Sequence, residues 1–119
     1  MKSRPSDHIA DVFVLLPEGR LDARAAPELE DAFATLEAQD LKKVIVDFSQ
    51  SSYISSSGLR VMLIHIRKLR QEGGDVKLCC LPEKIDKVFR IAGLDAIFDI
   101  FPSEEQAVQA FLAPPQEQA

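Results

Sequence analysis

A chain of 119 residues, 46% of them hydrophobic, can bury one core and is too short for two, so a single domain is expected over residues 1–113 with a disordered tail at 114–119. The formal net charge of −5 argues against direct nucleic-acid binding, which draws on clustered Lys and Arg. No apolar run approaches the length that spans a bilayer and no stretch reads as a secretory leader, so the expected location is cytoplasmic.

Ile9 to Leu16 forms the first apolar strand pattern and ends at the turn signal Pro17-Glu18-Gly19. Pro27 suits a first helical turn, and Leu29, Phe33 and Leu36 mark one buried face of a helix that runs to about Ala38. Val44 to Phe48 is apolar without alternation, the pattern of a strand covered on both faces. After the run Tyr53-Ile54-Ser55-Ser56-Ser57-Gly58, the residues Leu59, Met62, Leu63, Ile66 and Leu69 recur at helical spacing until Gly73-Gly74. Val76 to Leu81 is a further strand. Pro82 opens a helix with Ile85, Val88, Phe89 and Ala92 on one face, and Gly93 stops it, with Leu94 placed to close the hydrophobic contact of the cap. Ile97 to Phe101 is a short last strand, followed by the capping box Ser103/Gln106 and a helix carrying Val108 and Phe111. Strands alternating with helices predict an α/β fold: a mixed, largely parallel sheet of about four to five strands covered by about four helices.

Cys79 and Cys80 are neighbours in a predicted strand, where side chains alternate between faces, so two buried reduced thiols are expected and not a mutual disulfide. They and the isolated His8 and His65 lack the ligand spacing of a zinc site, so neither a metal nor a cofactor is expected. Arg67, Lys68 and Arg70 read as the solvated C-terminal end of a helix, where the dipole favours cations.

The three serines stand where a strand turns into a helix, at a strand's carboxyl end, which is where ligands collect in such sheets. The unpaired N–H groups and dipole of a helix start would hold a phosphate there. Helix capping accounts for one hydroxyl and leaves two. A nucleophile elbow would need glycine two residues before the nucleophile, where Ile54 and Ser55 stand, and a histidine within reach. No Gly-rich loop with a lysine precedes the helix. Catalysis is therefore not expected, and two readings stay open at this point: an ordinary N-cap with surplus loop serines, or phosphorylation of a serine. On helical angles Ser57, Val61, Ile64 and Lys68 lie opposite the face of Leu59, Met62, Leu63 and Ile66. Two alternatives stay open: Val61 and Ile64 form an outward apolar patch beside the serines, or a neighbouring element covers them.

The order Val46-Asp47-Phe48-Ser49, then Tyr53-Ile54, then Ser55-Ser56-Ser57-Gly58-Leu59 resembles the signature of the anti-sigma factor antagonists, which are single STAS domains. Gly19-Arg20-Leu21-Asp22 with Pro27-Glu28-Leu29 is similar to that family's first-helix region, and Phe89-Arg90-Ile91-Ala92-Gly93-Leu94-Asp95 with Phe98, Phe101-Pro102 and Ala107 to its C-terminal third. The resemblance runs from Val12 to Phe111 and implies the STAS fold and a partner switch. In such a switch the unmodified protein binds an anti-sigma factor that is also a serine kinase. Phosphorylation, which falls on Ser56 here, releases it, and a serine phosphatase of the PP2C type resets it. Ser55, Ser57, Gly58, Val61 and Ile64 would form the contact surface, and the resemblance adds Asp22 at the same edge. A homodimer is compatible with this reading. The chain departs from the family at Ser55, where an aspartate is usual; loss of the switch would leave a constitutive binder. The hairpin that usually precedes the first strand is hardly visible between Ser6 and Asp11. The alternative is a non-switching STAS subunit of a lipid-transport ATPase or a larger signalling assembly, in which the serines only cap the helix.

Overall fold

The computed structural model describes residues 1–6 and 11–112. The strands are β1 (Lys2–Pro5), β2 (Val12–Leu16), β3 (Gly19–Leu21), β4 (Lys43–Asp47), β5 (Ser51–Ile54), β6 (Asp75–Cys79) and β7 (Asp99–Phe101). The helices are α1 (Ala26–Ala38), α2 (Ser56–Gln71), α3 (Glu83–Ile91) and α4 (Glu104–Leu112), with a 3-10 turn at Leu94–Ala96. Five strands form the main sheet in the order β1-β2-β4-β6-β7, antiparallel between β1 and β2 and parallel elsewhere. This is the predicted α/β architecture.

Alternation along β4 explains why its sequence looks apolar throughout. Val44 and Val46 join the larger core beneath α1, α2 and α3, while Ile45 joins a smaller one with Ala107 and Val108 of α4. Both sheet faces are thus covered, as a parallel sheet requires. Gly93 ends α3 with φ 74°, a left-handed conformation that glycine adopts without strain, and Leu94 beyond it is buried as the cap contact predicts.

Three strands depart from expectation. β1 supplies the hairpin partner of β2, in Lys2–Pro5 and thus upstream of the Ser6 to Asp11 stretch. Its polar side chains are mostly exposed and its proline is tolerable on an edge, so it carries no apolar signal. β3 and β5 form a separate two-stranded parallel ribbon. They are too short and too polar to register as strands, and Gly19, which reads as turn punctuation, opens β3. Ile9, His8 and the tail at 114–119 lie outside the described residues.

Candidate functional site: the serine turn and the α1–α2 groove

The β3–β5 ribbon sets the site. Leu21 pairs with Ile54, and the Ser55 N–H donates to the Leu21 carbonyl at 2.9 Å, so Asp22 and Ser55 leave the ribbon side by side and lead into α1 and α2. The ribbon is anchored below by the Ser51 hydroxyl, which donates to the Pro17 carbonyl at 2.8 Å. Arg20 lies over the Tyr53 ring on its surface, 4.1 Å from the centroid.

The serines divide their work. Ser55 is the N-cap of α2: its backbone is extended and its hydroxyl accepts from the Gly58 N–H at 3.2 Å. Aspartate and serine cap about equally well, so the departure at Ser55 preserves this local function. Ser56, the first residue of the helix, is exposed, and Ser57 is half-buried. Gly58 is buried: a Cβ there would lie 3.0 Å from the Ile54 Cγ1 and 3.2 Å from the Leu21 carbonyl oxygen. What Gly58 contributes is close approach of α2 to the ribbon and not a side-chain contact to a partner.

Asp22 turns its carboxylate inward on its own chain, accepting from the N–H groups of Arg24 and Ala25, each at 3.1 Å, in the turn before α1. Asp47 does the same for the Ser49 N–H at 2.8 Å. Between the start of α1 and the first turns of α2 lies an open groove of about 380 Å³, lined by Ala23, Ala26, Pro27 and Glu30 on one side and Ser57, Arg60 and Val61 on the other. Val61 and Ile64, expected to share one environment, are split. Val61 is only 9% exposed because α1 covers it, and it forms the groove wall, whereas Ile64 is 50% exposed. Of the two, Ile64 is outward and Val61 is reached through the groove.

The groove's inner end carries no sequence motif. His65, isolated in the sequence, is buried between α2 and α1. Its Nδ1 meets a Glu37 carboxylate oxygen at 2.5 Å, its Nε2 meets Glu30, and its ring stacks on Phe33 with centroids 4.6 Å apart. Each ring nitrogen thus lies against a carboxylate oxygen contributed by α1. Lys68 completes the cluster, 2.8 Å from Glu37. Burial pushes the Glu37 carboxyl up, but the hydrogen bonds from Lys68 and His65 and their charges outweigh it and hold the group below its ordinary value. Glu30 and Glu37 recur seven residues apart on one face of α1, the signal that could have directed attention here.

A family model described as the STAS domain matches residues 4–107. The chain belongs to the STAS domain family. Among its STAS relatives, the protein BtrV of Bordetella bronchiseptica is 34% identical over 105 residues, 88% of this chain and 90% of that protein. The anti-sigma-B factor antagonist of Listeria monocytogenes is 32% identical over 100 residues, covering 84% of each. The fold matches that of the Bacillus cell fate determinant SpoIIAA in its phosphorylated form with a TM-score of 0.70 at 23% identity, over 92% of this chain and 99% of that one. Among the described residues no helix is long and apolar enough to cross a membrane.

Proposed function

We propose that this STAS protein is an anti-sigma factor antagonist of the cytoplasm, regulatory and not catalytic, that binds an anti-sigma factor serine kinase through the start of α2 and the α1–α2 groove. The kinase phosphorylates Ser56, the complex parts, and a PP2C-type phosphatase restores the hydroxyl. One observation carries the reading: Ser55 alone satisfies the helix cap, so the neighbouring Ser56 hydroxyl stands exposed at the helix start, beside the groove wall of Ser57 and Val61. The relatives' names support the class of partner.

The physics of release is local. The first turn of α2 carries no acidic residue, so its N–H groups and dipole would tolerate a phosphate within the domain. A partner surface fitted to a neutral hydroxyl and to Ile64 would have to desolvate about −1.5 to −2 new charges. No refolding is required. Incubation with the cognate kinase and ATP should add one phosphate to the intact chain, and Ser56→Ala should abolish the mass gain. Addition at Ser55 or Ser57 with Ser56 unmodified would overturn the assignment.

A further inference from the structure

We propose that Asp47, Cys79 and Cys80 form a zinc site at the carboxyl ends of β4 and β6, independent of the partner role. The expectation that the two cysteines point to opposite faces fails at Cys80. β6 ends at Cys79, and Cys80 has φ 62°, a left-handed backbone that costs a non-glycine residue about 1 kcal/mol or more. That kink turns the second thiol back toward the first. The two sulfurs and an Asp47 carboxylate oxygen all lie within 4.8 Å of one another. With Zn–S bonds of about 2.3 Å, tetrahedral geometry places two sulfurs about 3.8 Å apart, so loading requires a contraction of about an ångström or less.

The surroundings suit an ion. Backbone bonds hold both cysteines: the Cys79 carbonyl accepts from Phe48 N–H and the Cys80 N–H donates to Phe101, each at 3.1 Å. The Ser49 N–H occupies Asp47 Oδ1 at 2.8 Å, orienting the carboxylate and leaving Oδ2 for a ligand bond. Cys80 lines a surface cavity of about 370 Å³ with Leu81, Phe101 and Pro102, a route for the cation and for a water as fourth ligand. Two thiolates, a carboxylate and Zn²⁺ sum to one net negative charge. Burial pushes both thiols above their ordinary value of 9.0, so without metal they are protonated and poor nucleophiles, which argues against a redox role. On binding, each Zn–S bond replaces an S–H bond, and two protons pass to solvent.

The test is titration of the reduced, metal-free full chain with Zn²⁺ against a chromophoric chelator, and with Co²⁺ for its thiolate charge-transfer absorption. One equivalent should bind with micromolar or tighter affinity. Asp47→Asn should weaken binding by about tenfold or more. Cys80→Gly is the decisive variant, because glycine suits φ 62° and should fold at least as stably while losing a ligand. Its zinc affinity should fall by about a hundredfold, with the Co²⁺–thiolate band reduced. Failure of the wild-type chain to bind Zn²⁺ in the micromolar range, or unchanged binding in both Cys79→Ala and Cys80→Gly, would overturn the site.

Discussion

At the first turn of α2 the Ser55 hydroxyl accepts from Gly58 N–H and the neighbouring Ser56 side chain faces solvent; in the middle of the same helix His65 has both ring nitrogens engaged by Glu30 and Glu37 and its ring against Phe33. Both regions are polar segments of one helix, yet one uses its polarity within the fold and the other leaves a group unspent. The cause is α1. It packs against α2 at Val61 and His65 and so must satisfy whatever polar groups it buries, whereas at the first turn the two helices line an open groove and Ser56 stays exposed. A substitution in the middle should therefore register as stability, and one at the first turn as recognition.

The largest expected effect tests the closed region. His65→Ala removes a stacked ring and leaves the half-buried Glu37 and Glu30 with fewer donors, and should cost about 2–4 kcal/mol in chemical denaturation. If the loss is no larger than that of Lys68→Ala, whose ammonium is exposed, the cluster is not the clasp between α1 and α2 that its geometry describes.

Next comes the open region. Ser56→Glu should weaken binding of the proposed anti-sigma factor kinase about a hundredfold, equivalent to about 2.7 kcal/mol, with an unchanged unfolding midpoint. Calorimetric titration against the kinase measures the first quantity and thermal unfolding the second. Full affinity in the glutamate variant would end the contrast between the two regions.

Ser55 sharpens the boundary between them, because it belongs to the first turn and still works for the fold. Ser55→Ala should lose about 1 kcal/mol of stability, and Ser55→Asp should retain it by capping the same N–H. Equal midpoints for all three chains would show that the cap is dispensable.

The smallest effect is on acid stability. Glu37 has a folded value below the ordinary 4.5, so its ion pairs stabilise the native state at pH values above 4.5 and that contribution is lost as pH falls through the lowered value. Glu37→Gln should flatten this part of the stability profile below pH 4.5, while Ser56→Ala should leave it unchanged. Parallel acid profiles for wild type and Glu37→Gln would contradict the sign.

How legible the site was depended on how local its causes are. The start of α2 could be read from Ser55 to Leu69 because capping and helical periodicity act within a few residues. Ser103 accepts from the Gln106 N–H at 3.2 Å for the same reason. Val61 and Ile64 could not be separated, because both point off the same side of an isolated helix and only the position of α1 distinguishes them. β1, β3 and β5 escaped notice because their stability comes from pairing with distant strands and not from apolar content of their own.

The sequence by itself determined the alternation of elements, the boundaries of α1 and α2, and the placing of three hydroxyls at a helix start, since these follow from short-range propensity and hydrophobic period. Only the tertiary structure decided that Val61 is covered while Ile64 is open, that His65 meets carboxylates from α1, and that Cys80 turns its thiol toward Cys79 and Asp47. Those outcomes depend on contacts between residues far apart in the chain and on one left-handed backbone angle, and neither leaves a periodic trace in the order of amino acids.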